Sequence, residues 1–353
     1  MGHPTDILSA YALPGRAADS RLAITHAIEA ERIGLGGIWV SERWEGKEAA
    51  ALCGAISQVT RRIRIVAGLI HFAGRHPLVI AGVGATLQRL SEGRFYMGVG
   101  RSSPTRLQTQ GFGPFGLAHI RDYAGVVRRL WSGERFSYEG LLGRFNDIEL
   151  LQAPPSAPPL ILGAVGPKAL ALGGEVFDQV VLHPFLTPEG VSRSAAIVRE
   201  AAAAAGRDPA SVRVVACVVT GPDYLTPAER AAAVEARAMT YFRSAVLGPA
   251  IARANGWDPA ALDKVAAAGL VGLEPRGADA SAAARRFTEA AALLPAAWIA
   301  EGSAVGPAHV CAARLHDYRR AGADEILIHG TTPERLEAVV QAYVNADEGL
   351  RAN

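Results

Sequence analysis

Four polar side chains stand at or just beyond the ends of short apolar runs in the sequence. They are Glu42, Arg43, His71 and His183. A carboxylate or an imidazole can exchange a proton near neutral pH when its surroundings tune it, whereas an arginine stays protonated and suits the binding of an anion. The sequence therefore offers Glu42, His71 and His183 as candidate catalytic residues. Arg43 is expected to bind an anion or to orient Glu42, and a salt bridge between the two is the structural alternative.

The segment GAVGPK at 163–168 is the clearest ligand signal. An apolar run leads there into a glycine-containing turn, and Pro167 stands where a helix can begin without losing a hydrogen bond. The exposed amides of a helix N-terminus favour an anion, and Lys168 adds positive charge. The segment predicts a phosphate-binding turn, with an ordinary strand-to-helix turn as the alternative.

The segment GVGRSS at 98–103 follows another apolar run. Gly98 and Gly100 leave little side-chain bulk there, so that a flat ring or a chain could approach the backbone. Arg101 is suited to binding a phosphate or a carboxylate. No GxxxxGK[ST] or GxSxG motif occurs in the sequence, so phosphoryl transfer and acyl-enzyme chemistry have no support.

The composition argues against several other classes of protein. Lys and Arg number 36 and Asp and Glu 34, a net charge of +2 that does not favour nucleic acid or a membrane surface as a partner. Three distant cysteines and the absence of an HExxH motif predict neither a disulfide framework nor a metal site. Because we find no 18-residue apolar run and no signal-peptide pattern, we expect a cytoplasmic protein that acts on a small molecule.

Apolar runs alternate with Ala-, Arg- and Glu-rich stretches of helical spacing along most of the chain. Strands are predicted at 6–11, 36–41, 63–70, 94–100, 159–165, 178–185, 212–220 and 325–330. Helices are predicted at about 20–33, 47–60, 77–90, 117–132, 167–175, 188–205, 307–321 and 333–345. The strands are mostly continuous apolar runs, which is typical of parallel strands covered on both faces. Eight such strands, each followed by a helix, predict an α/β fold, a (β/α)8 TIM barrel, with a doubly wound sheet as the alternative.

Two segments interrupt this alternation. Residues 133–152 predict a small β-hairpin. Residues 225–300 predict an Ala-rich helical insertion between strands 7 and 8, with Trp257 and Trp298 among its apolar anchors. We expect residues 1–353 to form a single barrel domain that this insertion caps.

Several segments together resemble one known family. They are WVSERW, IRIVAGLIHFAGRHPL, LSEGRFYMGVGRS and PLILGAVGPKALALGGEVFDQVVL, in this order. The chain resembles the luciferase-like monooxygenases, and within them the coenzyme F420-dependent oxidoreductases that share the short WVSER loop. The resemblance covers residues 5–220 well and 300–345 more loosely.

The resemblance implies a barrel that holds a deazaflavin or a flavin at the carboxyl ends of its strands. It implies that the third strand ends in a bulge with a cis peptide bond at Gly68–Leu69, which backs the central ring. It also implies that Ala164 to Lys168 hold the phosphate-bearing tail of the cofactor. The cofactor contacts expected in this way are Arg43, Gly68, Leu69, Ile70, Gly98, Arg101, Ser102, Ser103, Ala164, Val165, Gly166, Pro167 and Lys168.

Two departures from the family pattern affect the expected reaction. Glu42 and Arg43 stand where many F420-dependent members have Asp-His, and Ser103 stands where the family has an acid. The proton donor of the sugar-phosphate dehydrogenases is therefore missing, which makes a sugar phosphate a poor candidate substrate. The expected function is hydride transfer between C5 of F420 and a small organic substrate bound under the insertion, in a protein that could form a homodimer. An FMN-dependent monooxygenase and a non-redox, phosphate-binding barrel enzyme are the alternatives.

Overall fold

The computed structural model describes residues 3–14, 19–44, 46–102, 104–271 and 280–352. Its strands, numbered within these residues, are β1 Leu8–Ala12, β2 Gly37–Val40, β3 Arg64–Ile70, β4 Phe95–Val99, β5 Phe136–Gly140, β6 Gly143–Ile148, β7 Leu160–Ala164, β8 Gln179–Leu182, β9 Arg213–Pro222, β10 Ser303–Gly306 and β11 Glu325–His329. Its helices are α1 Leu22–Arg32, α2 Ala49–Val59, α3 Pro77–Leu90, α4 Pro104–Thr109, α5 Leu117–Trp131, α6 Pro167–Val176, α7 Pro188–Ala204, α8 Pro227–Ala233, α9 Glu235–Phe242, α10 Leu247–Asn255, α11 Asp263–Ala267, α12 Ala280–Ala290, α13 Ala296–Glu301, α14 Ala308–Arg320 and α15 Glu337–Ala352.

Eight parallel strands close into a barrel. Their order around the ring is β1, β2, β3, β4, β7, β8, β9 and β11, and β11 pairs again with β1. The predicted (β/α)8 barrel is therefore confirmed, and the doubly wound alternative is excluded because an open sheet would leave two unpaired edges. The eight barrel strands coincide with the eight predicted apolar runs to within three residues at each end.

Side chains from the strands fill two separate spaces. A large apolar cluster lies between the strands and the surrounding helices, and a smaller one that includes Trp39, Val66, Ile161 and Leu327 fills the barrel interior. Inward and outward positions alternate along each strand, so both faces of a strand are buried. This double burial explains why the strands read as continuous apolar runs.

The amino-terminal end of the barrel is closed by one buried carboxylate. Glu325 at the start of β11 accepts from Arg64 at 2.8 Å, Arg213 at 2.9 Å and Gln179 at 3.3 Å. Its side chain is 3% exposed. Because this end is sealed by an ion-pair network, a ligand can enter the barrel only at the carboxyl ends of the strands.

The two predicted interruptions are present. β5 and β6 form the antiparallel hairpin, and helices α8 to α13 lie between β9 and β10. Trp257 and Trp298 stack with ring centroids 4.8 Å apart, so the insertion has the apolar anchor expected of it. In the part of the chain that the structure describes, no helix is long and apolar enough to span a membrane.

Three elements differ from the prediction. The helix α4 and the four-residue strand β10 were not predicted, because elements so short show no periodicity. β10 pairs in parallel with the last four residues of β9, which extends that strand to Pro222. The last helix begins at Glu337, since Pro333–Arg335 form a 3₁₀ turn before it.

We predict that Glu325→Gln lowers the free energy of unfolding by about 3 kcal/mol, because it removes the charge that compensates two partly buried guanidinium groups. Urea denaturation measures this loss. The matched control is Glu139→Gln on the hairpin, where the pair with Arg144 spans 3.7 Å at the surface and no change is expected. Equal losses in the two variants would contradict the structural role of Glu325.

Candidate active site at the barrel mouth

The carboxyl end of β3 is kinked. The pairing of β3 with β4 shifts register between Ala67 and Ile70. The peptide bond Gly68–Leu69 is cis, as the resemblance implies. Beyond the shift, the carbonyl of Ile70 accepts from the N–H of Gly100 at 3.0 Å, so the strand stays joined to its neighbour.

The side chain of Leu69 occupies the space that three glycines leave open. A Cβ on Gly163 would lie 2.2 Å from Leu69 Cδ1, one on Gly98 would lie 2.9 Å from Cδ2, and one on Gly100 would lie 3.0 Å from Cδ1. The sequence suggested that Gly98 and Gly100 leave room for a ligand. They instead leave room for Leu69, whose half-buried side chain is the surface that a flat ring can contact.

The carboxylate of Glu42 joins the loops after β2 and β3. Its Oε2 accepts from Trp44 Nε1 at 2.9 Å, from the backbone N–H of His71 at 3.1 Å and from Arg75 Nη1 at 2.8 Å. Its Oε1 accepts from Arg75 Nη2 at 2.5 Å. The Glu42 N–H also donates to the carbonyl of Leu69 at 3.2 Å. Glu42 therefore fixes both the loop that contains His71 and the position of Leu69.

This geometry favours a positioning role for Glu42 over the catalytic role expected from the sequence. Its side chain is fully buried, and both oxygens accept hydrogen bonds from neighbouring N–H groups. The partner is Arg75 rather than Arg43, so the expected pairing of Glu42 with Arg43 is replaced by a contact from the next loop. The backbone of Arg43 pairs instead with that of Lys47.

The two candidate histidines lie at different places on the mouth. His71 contacts Trp44, with ring centroids 4.8 Å apart, next to Glu42. His183 contacts Tyr241 edge to face at 4.6 Å, and its Nδ1 donates to the carbonyl of Pro184 at 3.1 Å. Burial lowers the pKa of His183 to about 4. His183 is therefore a neutral imidazole at physiological pH, with Nε2 left as an acceptor.

The insertion contributes polar residues that the sequence-based site did not include. Tyr241 on α9 has its hydroxyl 3.0 Å from Nε2 of His329, at the end of β11. The ring of His329 lies 4.8 Å from that of Tyr11, at the end of β1. Arg237 stands four residues before Tyr241, and its charge acts on the Tyr241 hydroxyl. The i,i+4 spacing puts both on one face of α9, but an Ala-rich helix gives no signal that this face covers the mouth.

Lys47 is a buried cation of the same region. Its Nζ donates to the carbonyl of Leu13 at 2.8 Å and to Ser41 Oγ at 3.1 Å. Burial, together with the charges of Arg43 and Arg237, lowers the pKa of Lys47 to about 8. The mouth beneath α9 is therefore rich in positive charge.

The predicted anion-binding turn lies at the end of β7. Gly166 is the N-cap of α6 without any side-chain cap, and Pro167 is the first helical residue. A Cβ on Gly166 would meet no atom within 4 Å, and Lys168 is exposed. Ala164 is buried at the end of β7, and Val165 is half-buried in the turn. The open helix N-terminus and its lysine suit an anion.

The β4 end adjoins this turn because β4 pairs with β7. Arg101 is exposed and Ser102 is buried, and both follow β4. The predicted contact Ser103 lies outside the described residues. Within those residues, no three His, Cys, Asp or Glu side chains gather as a metal site would require.

A cleft of about 430 Å³ opens beside the mouth. Phe72, Phe112 and Phe115 line it together with Tyr123. Phe72 stacks on Tyr123 with centroids 4.0 Å apart and is buried, so it anchors the loop. The cleft is lined by neither Leu69 nor the α9 residues, but it borders the candidate site at Arg75.

The chain matches a family model described as luciferase-like monooxygenase over residues 7–325. An F420-dependent hydroxymycolic acid dehydrogenase of Mycobacterium tuberculosis (strain ATCC 25618 / H37Rv) is 29% identical over 270 residues, which is 71% of this chain and 72% of the relative. An F420-dependent glucose-6-phosphate dehydrogenase of Microbacterium testaceum (strain StLB037) is 29% identical over 156 residues, 43% of this chain. In that case the match spans only 46% of the relative's own length.

The fold has a solved counterpart in the coenzyme F420-dependent tetrahydromethanopterin reductase of Methanopyrus kandleri. The two superpose with a TM-score of 0.79 over 96% of this chain and 98% of that one. Their sequences are 19% identical, so this likeness establishes the barrel architecture alone.

We predict that Glu42→Gln lowers the free energy of unfolding by about 3 kcal/mol, because a neutral amide cannot replace a buried carboxylate that faces Arg75. Urea denaturation measures the change. Glu48→Gln is the matched control, since half-exposed Glu48 contacts the same arginine at 2.7 Å and should cause a smaller loss. A Glu42 variant as stable as the wild type would contradict the positioning role.

We predict that the difference in the free energy of unfolding between the wild type and Lys47→Met depends on pH. Between pH 8 and pH 10.5 the unfolded chain keeps the Lys47 proton that the folded chain has lost. The stability of the wild type relative to the variant therefore rises across this range and is constant below it. Urea midpoints at pH 7, 8, 9 and 10 test this, and a difference independent of pH would contradict it.

Proposed function

Because the chain belongs to the luciferase-like monooxygenase family, we propose that it is a coenzyme F420-dependent oxidoreductase. It transfers a hydride between the deazaflavin C5 and a small organic substrate. Both relatives named above are F420-dependent dehydrogenases. The main support for the proposal is the contact between Leu69 and β7. This contact places an apolar surface that a ring could cover next to the strand that leads into the α6 turn.

The residues at the mouth fit such a cofactor. We propose that Gly68, Leu69 and Ile70 form the wall behind its ring, beside Gly98. Its phosphate-bearing tail is held at the turn after β7 and by the loop after β4. The residues proposed for the tail are Arg101, Ser102, Ala164, Val165, Gly166, Pro167 and Lys168, with Ser103 proposed from sequence alone. When bound, F420 supplies a carbon that accepts or releases a hydride.

The protein's own part is to orient the reactants, to exclude water and to move a proton. We propose His183 and His71 as the proton-transfer residues. The Nδ1–H of His183 donates a hydrogen bond to the carbonyl of Pro184, which leaves Nε2 to exchange a proton with the substrate. His71 is held by the bond from its N–H to Glu42, so Glu42 acts through the loop it orders.

FMN is the alternative cofactor, since the same wall and turn would suit a true flavin. The F420-dependent relatives favour the deazaflavin. A non-redox barrel enzyme has no support among these relatives. A cytoplasmic location and a homodimer complete the proposal, and size-exclusion chromatography tests the second.

The test of the proposed function is a titration of the purified protein with F420, followed by cofactor fluorescence. We expect saturable binding that is tighter than the binding of FMN. Binding of FMN in preference to F420 would assign the chain to the flavin-dependent members, and binding of neither would overturn the proposal.

Gly163→Ala tests the Leu69 wall within the same assay. The added Cβ displaces Leu69 Cδ1, which lies 2.2 Å from its position, so F420 affinity should fall roughly ten-fold. The matched control is Gly125→Ala on α5, where a Cβ meets no atom within 4 Å. Unchanged affinity in both variants would remove Leu69 from the cofactor site.

A further inference from the structure

Arg237 is a buried cation without a counter-ion among the described residues. It is 9% exposed, and no carboxylate of the described chain pairs with it. Its Nε is buried and has no hydrogen-bond partner. A buried charge left in this state destabilises a fold, so its retention points to a ligand.

Two further nitrogen atoms near the barrel mouth also lack partners. They are Nδ1 of His329 and Nε1 of Trp39, both in side chains that are more than nine-tenths buried. Tyr11 contacts both rings, at 4.8 Å from that of His329 and 6.3 Å from that of Trp39. Buried polar atoms normally find partners, so three such atoms in one region indicate a ligand that supplies several acceptors.

The contact between Tyr241 and His329 bears on which His329 nitrogen carries the hydrogen. The Tyr241 hydroxyl lies 3.0 Å from Nε2 of His329. A phenol hydroxyl donates readily to the unprotonated nitrogen of a neutral imidazole. His329 is neutral because burial and the charge of Arg237 hold its pKa far below the usual value. With Tyr241 as the donor to Nε2, the hydrogen of the neutral imidazole lies on Nδ1, and Arg237, His329 and Trp39 then all present donors.

Among the described residues, the charged side chains that act most strongly on His329 are the cations Arg237, Arg43 and Lys47. Burial raises the pKa of Tyr11 and of Cys217, so both stay protonated. Glu42 is bound by Arg75. A site with buried donors and positive charge selects an anionic ligand.

Resting on the proposed function, we propose that the substrate carries an anionic oxygen group, a carboxylate or a phosphate, and that Arg237 binds it together with Lys47 and Nδ1 of His329. Lys47 is anchored on Leu13, just after β1, and β1 lies opposite β7 in the eight-stranded ring. This anion site is therefore distinct from the turn at α6. Because Arg237 belongs to the insertion, the insertion determines the charge of the substrate that the barrel accepts.

The test uses the F420-loaded protein and isothermal titration with benzoate, inorganic phosphate and uncharged benzyl alcohol. We expect benzoate or phosphate to bind the wild type, and Arg237→Met to weaken that binding roughly ten- to a hundred-fold. Arg237→Lys keeps the charge and should retain part of the affinity. The matched control is Arg253→Met, which removes one exposed charge from α10 of the same insertion and should behave as the wild type.

Two companion measurements separate this site from a structural role and from the cofactor site. The melting temperature of Arg237→Met should equal or exceed that of the wild type, since the variant removes a buried charge without a counter-ion. The F420 affinity of Arg237→Met should be unchanged.

A lower F420 affinity with unchanged anion affinity would assign Arg237 to the cofactor. Failure of both anions to bind at millimolar concentration would overturn the proposal. If F420 itself does not bind the wild type, the proposed function fails, and the same titrations on the unloaded protein still decide the role of Arg237.

Discussion

The position of one leucine side chain determines the shape of the mouth. Leu69 can lie across β4 and β7 only because Gly98 and Gly163 carry no Cβ, and its carbonyl is tied to Glu42 in the loop after β2. Glu42 is in turn held by two bonds from Arg75. The wall proposed for the cofactor therefore depends on two glycines, which leave room for Leu69, and on one buried ion pair. A substitution of a glycine or of the ion pair would change the wall without touching the ligand itself.

The two ends of the barrel contain buried charge in opposite states. At the amino-terminal end, Glu325 compensates Arg64 and Arg213, so the charges neutralise each other and seal the interior. At the carboxyl end, Arg237 has no carboxylate partner in the described chain. A compensated network serves the fold, whereas an uncompensated cation lowers stability and is explained by a ligand that arrives from outside.

The sequence predicts the barrel well because double burial of parallel strands leaves a pattern that is local and repeated eight times. The turn at 163–168 can also be predicted from sequence, because its glycine, proline and lysine follow one another at the end of a strand. The partner of Glu42 was not predictable in this way. Arg43 is its neighbour in sequence, yet Arg75 reaches it from the following loop, and only the three-dimensional course of the two loops decides between them. The glycines of β4 and β7 were recognised as small residues, but the side chain that fills their space comes from a third strand.

The role of the insertion is the feature of the site that the local sequence predicts least. Arg237 and Tyr241 lie in an Ala-rich helix whose sequence gives no indication of the surface it covers. Only the structure shows that Tyr241 contacts His183 and His329, at the ends of two barrel strands. The barrel supplies the framework of the mouth, and the insertion supplies Arg237, whose charge has no carboxylate partner in the described chain. It follows that the identity of the substrate is encoded less in the barrel motifs than in the face of α9. A search for related specificity should therefore compare that face rather than the overall sequence.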